Sequence, residues 1–469
     1  MSDSPTGQGV PGDPGGIGQA PQPVFDVNAA HMQQPKLRPI RGFPVKQGEQ
    51  VSLGIADATQ VSDQVVIAPM QSQVLLRLMD GSRTLLQIME AAQQQHNLQI
   101  ELHQLQDFVA RLDNAGVIVG PTARGYLQKM RDEYEASELL PPGMTGVFAD
   151  ALARHKAQQD EEEPTEEYLR EHGGACLRTQ LGEWMDQVDE VMKVTPFENM
   201  PRAIVAPHID YMRGWVDYAT VWARLRGLDA PDRVIILGTN HFGRSSGVCG
   251  CDKGFNTPMG DVPLDSAFME TLREKLGEDN GERLFKDRYD HEREHSIEVQ
   301  LPWIQGVFGG DDGSCPPVFG VLVHNTTVNG GLSYNEEGLD FEPFVEAMRA
   351  TLDELGGRTL IVCSADLSHV GPQFGDNVGL VGEGEEVKQA HEKVQTHDEG
   401  MLELFTQGKC DEMVGTLTWQ QNKTRWCSAG ALQATARLVA SDSIELLDYR
   451  GSIDEDGAAL VTYCAMALH

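Results

Sequence analysis

The sequence predicts an α/β protein, in which a mixed sheet is flanked by helices on both faces and a small winged-helix-like domain precedes it. From about residue 177 to the C-terminus, short runs of Val, Ile and Leu alternate with segments of helical periodicity. Such runs are typical of strands buried on both faces, and the alternation is typical of sheets covered by helices. Residues 46–121 instead combine three short helical patterns with small strand-like segments, which predicts the winged-helix-like domain.

The remaining segments are predicted to be irregular or helical connections. Residues 1–45 are dense in Pro, Gly and Gln and have almost no periodic apolar pattern, so we expect a disordered tail. Residues 122–175 mix helical stretches with the acidic run at 160–163, which favours a helical acidic linker. The main α/β domain is therefore expected to span residues 176–469.

Within the first domain, the predicted elements follow one another closely. Residues 65–67 form a short strand, and Thr84 opens a helix from Leu85. A further helix with Leu105 and Phe108 on one face ends at Gly116, after which three apolar residues predict a closing strand.

Composition excludes several classes of partner. The 469 residues include 71 acidic and 37 basic side chains, for a formal charge of −34, which disfavours binding to nucleic acid or to an anionic membrane. The sequence has no apolar run of transmembrane length and no secretory signal at its start. Its eight cysteines lack disulfide-type spacing, so we expect reduced thiols and a cytoplasmic location.

Three predicted strands, far apart in the sequence, each lead into a histidine. They span residues 202–208, 233–241 and 359–369 and end in His208, His241 and His369. Ligands of open α/β sheets bind beyond the carboxyl ends of the strands. Three imidazoles at this edge predict a metal site or an acid/base site.

Two further groups complete this predicted site. Cys427 precedes a helix, and a thiolate near a helix N-terminus is favoured by the helix dipole, although the local sequence fits a buried inert cysteine equally well. Asp366 lies three residues before His369, and a carboxylate that orients an imidazole makes an acid/base pair or supports a metal ligand.

A zinc hydrolase is a weaker hypothesis. His291 and His295 match the H-E-x-x-H pattern of zinc proteases, which requires both histidines on one face of a stable helix. Here the pattern resembles a loop that enters a helix, with Pro302 soon after it.

The C-terminal 290 or so residues resemble the Memo family, which includes the bacterial AmmeMemoRadiSam system protein B. The resemblance is carried by residues 206–211 (APHIDY), 236–241 (ILGTNH), 294–302 (EHSIEVQLP) and 364–369 (SADLSH), together with Cys427 and residues 461–465 (VTYCA). Residues 76–85 of the first domain resemble PqqD-type domains, whose role is to bind a peptide along a strand edge.

The resemblance implies a fold similar to that of the class III extradiol dioxygenases and a mononuclear metal held by His208, His241 and Cys427. It also implies that His369 is the acid/base, with Asp366 and His295 nearby. Two imidazoles and a thiolate suit iron or copper, with zinc as an alternative. We therefore expect a metal-dependent oxidoreductase that acts on a small molecule or peptide. The other hypothesis is a non-catalytic scaffold that binds a peptide in the same pocket and a second peptide on the N-terminal module.

Overall fold

The computed structural model describes residues 22–47, 50–59, 61–241, 245–310 and 313–469. The chain forms two compact units, Met1–Met130 and Arg131–His469. Among the described residues, no helix has both the length and the apolar character needed to cross a bilayer. All eight cysteines are free thiols.

The first unit contains a three-stranded antiparallel sheet followed by helices. Its strands are β1 Ile40–Gln47, β2 Gln50–Asp57 and β3 Val65–Pro69, and its helices are α1 Ala30–Gln33, α2 Gln73–Leu78, α3 Leu85–His96 and α4 Leu102–Asn114. The start of α3 follows the prediction, because Thr84 and Gln87 form a reciprocal capping box. Ile55 of β2 packs with Ile88 and Leu105 in one buried core.

Two expectations for this unit need correction. Residues 1–21 of the predicted tail lie outside the described residues, but residues 22–45 contain α1 and most of β1. The Pro- and Gly-containing sequence of β1 is compatible with an edge strand, where a missing N–H such as that of Pro44 costs little. The strand expected at 117–119 is only a single bridge between Ile118 and Leu37. The winged-helix-like and PqqD-like assignments stay predictions.

The second unit contains the other strands and helices. The strands are β4 Leu139–Leu140, β5 Ala203–Ala206, β6 Arg233–Thr239, β7 Cys249–Gly250, β8 Gly254–Thr257, β9 Gly260–Val262, β10 Val318–Val323, β11 Thr359–Ser364, β12 Asp366–Val370, β13 Ile444–Ile453 and β14 Leu460–Leu468. The helices are α5 Pro121–Glu135 (which includes the unit boundary), α6 Met144–Gln159, α7 Glu166–Met192, α8 Tyr211–Trp222, α9 Ser266–Phe285, α10 His295–Glu298, α11 Leu301–Phe308, α12 Phe341–Leu355, α13 Glu385–Thr406, α14 Cys410–Trp419 and α15 Ala429–Val439.

The central sheet has eight strands and is mixed, as predicted. Its order is β12-β14-β5-β11-β6-β10-β7, with β13 paired to β14. Strands β5, β11, β6 and β10 are parallel, whereas β7, β12, β13 and β14 pair antiparallel. Ile235 and Leu237 of β6 face one apolar core, and Val234 and Ile236 face the other. This alternation shows that helices cover both faces and explains why the strands are apolar throughout.

The predicted acidic linker is instead largely part of the second unit. Helix α6 and helix α7 pack together, and Ala149, Ala153 and Ala157 form the buried stripe of α6. Alanine contributes little to an apolar periodicity, so the sequence pattern does not predict that this face of α6 is buried. The acidic run at 160–163 is exposed between the two helices.

Candidate metal centre

Three separate elements bring the predicted metal ligands together. His208 follows β5, His241 follows β6, and Cys427 lies just before α15. Because β5 and β6 run parallel on either side of β11, their carboxyl ends lie at the same edge of the sheet. One imidazole nitrogen of each histidine and the Cys427 sulfur all lie within 4.8 Å of one another.

His208 is held in the tautomer that a metal ligand needs. Its Nδ1 lies 3.1 Å from the Ser364 carbonyl oxygen, which only accepts hydrogen bonds, so Nδ1 carries the proton. Its Nε2 lies 3.3 Å from the Cys427 sulfur. Burial, followed by the positive charge of His241, lowers the pKa of His208 well below its usual value. The imidazole is therefore neutral, with a lone pair on Nε2 directed toward the sulfur.

His241 is supported by a buried carboxylate. Glu294 is 2% exposed; one of its oxygens lies 3.0 Å from His241 Nδ1 and the other accepts the His241 backbone N–H at 2.8 Å. Burial alone would raise the pKa of Glu294, but His241 and the hydrogen bonds outweigh burial and lower it to about 2. Desolvation lowers the pKa of His241, but the Glu294 charge outweighs it, so the pKa is raised well above its usual value.

These residues fit a transition metal. Both imidazoles have the outer nitrogen anchored, which is the usual arrangement of metal-ligating histidines, and a bound metal would replace the proton that the raised pKa of His241 keeps on its inner nitrogen. With one thiolate they form an N₂S donor set that suits iron, copper or zinc. A second cluster, His241, Glu294 and His295, is also compact. Its carboxylate already accepts hydrogen bonds from His241 and from the Ser296 N–H, so it supports His241 and does not form a separate site.

The two other histidines predicted for the site border the ligands. The His295 ring stacks on the His241 ring with centroids 4.9 Å apart and lies 5.6 Å from the His208 ring. His369 has its Nδ1 3.0 Å from the Leu367 carbonyl oxygen, which leaves Nε2 as the proton acceptor. Burial is the main cause that lowers the pKa of both His295 and His369.

The structure places His369 differently from the prediction. Strand β11 ends at Ser364, and His369 lies in the next strand, β12, which pairs antiparallel with β14. A bulge between Asp366 and His369 interrupts this pairing. The sequence pattern predicts one continuous strand here because Ala365, which lies between β11 and β12, is also apolar; in the structure it is fully buried.

Asp366 does not hydrogen-bond to His369, contrary to the pair predicted from their spacing. Its Oδ1 accepts the backbone N–H of His208 at 2.9 Å and of Ile209 at 3.2 Å, and its Oδ2 lies 3.7 Å from His208 Nε2. Burial raises the pKa of Asp366. This carboxylate therefore fixes the turn that carries His208.

The zinc-protease pattern does not form its required geometry. His291 belongs to the 3-10 helix Arg288–Glu292, and His295 begins the separate helix α10. His291 is buried, and its Nε2 lies 3.2 Å from the Cys249 carbonyl oxygen. The two histidines do not share a helical face, so the zinc hydrolase hypothesis lacks its site.

Two supporting residues were missed by sequence reasoning. Glu294 enters the sequence argument only as part of a family motif, which does not predict its bonds to His241. Gln300, from the same motif, donates its amide to the Pro207 carbonyl at 2.7 Å and to the Ser364 hydroxyl at 2.9 Å. Both polar side chains are fully or almost fully buried. The available signal is the position of both residues directly before helices, where a polar side chain can bond backbone groups.

Gly238 permits the close packing that brings α10 to the site. A Cβ atom at this position would lie 2.5 Å from the Ser296 hydroxyl, which donates to the Thr239 carbonyl. We expect Gly238→Ala to push α10 away, to lower the free energy of unfolding by about 1–3 kcal/mol and to weaken metal binding. Chemical denaturation and metal titration measure both effects. Gly400→Ala on α13, with open space at its Cβ, is the control: it should leave metal binding unchanged and raise the free energy of unfolding by about 0.5–1 kcal/mol, because alanine is the better helix former.

Comparisons with known proteins match most of the second unit. The family model for Memo-like proteins matches residues 170–467, which is more than half of the chain. A MEMO1 family protein of Methanopyrus kandleri is 28% identical over 269 residues, 56% of this chain and 81% of the relative. A MEMO1 family protein of Caldivirga maquilingensis is 25% identical over 273 residues, 57% of this chain and 83% of the relative. A MEMO1 family protein of Methanococcoides burtonii is 33% identical over 169 residues, 36% of this chain and 55% of the relative. The chain belongs to the Memo family.

Proposed function

We propose that this protein is a metal-dependent oxidoreductase, similar to a dioxygenase, with one iron or copper ion held by His208, His241 and Cys427. The observation that carries the proposal is the convergence of these donor atoms within 4.8 Å, each imidazole having its outer nitrogen anchored. When bound, such a metal would pass electrons from a small substrate to oxygen. A cytoplasmic location, where thiols stay reduced, is part of the proposal.

The chain's own residues would bind the substrate and move its protons. A cavity of about 630 Å³ has Cys427 in its wall together with Asn325, Thr327 and Arg425, which is large enough for a small molecule or a peptide side chain. His369, neutral because burial lowers its pKa, offers Nε2 as a general base. His295 would serve as a second proton carrier, since its Nδ1 lies 3.3 Å from Glu294. Asp366 keeps the His208 turn in place.

The test separates metal binding from chemistry. Full-length protein purified without oxygen should contain close to one iron or copper per chain, and it should consume oxygen with at least one member of a panel of catechols, thiols and amines. His369→Gln should keep the metal content and lose about 100-fold or more in oxygen uptake, because the general base is removed. Elemental analysis and an oxygen electrode measure these quantities. Stoichiometric zinc, or oxygen uptake unaffected by His369→Gln, would contradict the proposal.

One observation favours the second hypothesis, a scaffold that binds a peptide or protein partner. Large apolar side chains are exposed at the same cavity: Trp419 is 84% exposed and Val328 66%. Val328 lines the cavity, and Trp419 follows Thr418, another lining residue. Exposed apolar groups around a pocket are typical of interaction sites. A protein that binds metal but never consumes oxygen, and that loses a partner on Trp419→Ser, would favour the scaffold.

A further inference from the structure

A fully buried carboxylate links the residues next to Cys427 and His369. Asp398 lies on α13 and is 0% exposed. Its Oδ1 accepts the Ser368 hydroxyl at 2.6 Å and the Trp426 indole N–H at 2.8 Å. Ser368 directly precedes His369, and Trp426 directly precedes Cys427. A single hydrogen bond therefore links the Asp398 carboxylate to each of the two chain segments that carry His369 and Cys427.

The second oxygen of this carboxylate faces other elements. Asp398 Oδ2 accepts the Thr462 hydroxyl at 2.6 Å and the Tyr449 hydroxyl at 2.9 Å, from β14 and β13. His397 Nδ1 lies 3.2 Å from Oδ1. A buried carboxylate is costly unless hydrogen-bonded, and four hydroxyl or indole donors here offset that cost. The two oxygens thus have different partners: Oδ1 accepts from Ser368 and Trp426, and Oδ2 accepts from Tyr449 and from Thr462, whose hydroxyl also accepts the Ser368 backbone N–H at 2.9 Å.

The loop that carries Cys427 needs such fixation. Gln421, Asn422 and Arg425 have φ values of 57°, 42° and 59°, in the left-handed region that non-glycine residues rarely adopt. The Asn422 side chain bonds both the N–H and the carbonyl of Trp426, at 2.9 Å and 3.0 Å. Trp426 is therefore fixed through its backbone by the loop and through its indole by Asp398.

We propose that Asp398 is a positioning residue that aims the Cys427 sulfur at the metal by fixing Trp426 and Ser368. The inference rests on the proposed metal site and adds a residue remote from it in sequence. In Asp398→Asn an amide nitrogen replaces one of the two acceptor oxygens, so two of the four buried donors face a donor and the Cys427 loop should shift. The sulfur–metal geometry should change as well as the stability of the fold.

Titration of metal-free full-length protein with Co²⁺ alone tests the inference. The readouts are the dissociation constant and the sulfur-to-cobalt charge-transfer absorption, which reports thiolate coordination directly. Asp398→Asn and Ser368→Ala should each weaken Co²⁺ binding about tenfold, the lower end of the effect of supporting residues, and should reduce or shift this absorption. Tyr449→Phe removes a bond to the other oxygen of the same carboxylate and should change neither readout by more than about twofold.

Three results would overturn the inference. Wild-type behaviour of Ser368→Ala and Asp398→Asn would show that the Oδ1 bonds do not position the sulfur. If Asp398→Asn does not fold, Ser368→Ala decides alone. An equal loss in Tyr449→Phe would show a general packing role. Absence of the charge-transfer absorption in the wild-type protein would remove the thiolate ligand, and it would overturn the proposed metal site together with this inference.

Discussion

Cys427→Ser should abolish stable metal binding, with a loss of affinity of more than about 100-fold, the upper end of the effect of supporting residues. A serine hydroxyl binds iron or copper much more weakly than a thiolate does, and Cys427 is the only one of the three ligands that supplies sulfur. The measurement is metal content after anaerobic purification, followed by titration of the metal-free chain. The fold should persist, because Cys427 is only half-buried.

Cys176→Ser is the matched control for this variant. Cys176 is also half-buried and lies on α7, outside the ligand cluster. It should retain wild-type metal content. Equal metal in Cys427→Ser and the wild-type protein would remove the sulfur from the site and leave two histidines, too few for the proposed centre.

Glu294→Gln should weaken metal binding by about 10- to 100-fold, the range for residues that orient metal-ligating histidines. The glutamine amide lacks the negative charge that attracts His241 Nδ1–H. Its NH2 group would also replace one acceptor oxygen and would then point at a backbone N–H of His241 or Ser296, which is itself a donor. Metal titration by calorimetry measures the loss. Glu298→Gln is the control: Glu298 accepts the N–H groups of Gly143, Met144 and Thr145 at the start of α6, so this change should lower stability and leave metal affinity within about twofold.

The same variant should change the acid sensitivity of the metal-free fold. The pKa of Glu294 is about 2 in the folded chain against an ordinary value of 4.5. A depressed pKa means that the carboxylate stabilises the fold above pH 4.5 and that this contribution is lost as the pH falls toward 2. The free energy of unfolding should therefore fall less steeply between these pH values in Glu294→Gln than in the wild-type protein. Parallel slopes would show that His241 and Glu294 do not interact as described.

Much of the site was predictable because strand ends are easy to read. The apolar runs before His208 and His241 are continuous, and α/β sheets place such ends at one edge. The partner of each imidazole was not predictable in the same way. His208 bonds to a backbone carbonyl, which has no sequence signature, and Asp366 bonds to backbone N–H groups and not to the nearby His369.

The domain boundaries were harder for a different physical reason. The buried face of helix α6 consists mainly of alanines, which are also common on exposed helix faces. The sequence pattern therefore does not show that α6 packs on α7. Strand β1 combines Gly42 and Pro44, which composition assigns to irregular chain, yet its register with β2 is continuous over all eight residues. Edge strands tolerate both residues.

The order of the ligands along the chain has a consequence for biosynthesis. His208 and Cys427 are in contact although 219 positions separate them, and Cys427 lies just before α15. A nascent chain on the ribosome therefore exposes both imidazoles long before the thiol is made. The complete donor set exists only once Cys427 has been made and α15 has docked, so loading with metal reports the packing of this later segment and cannot guide the earlier steps that form β5 and β6.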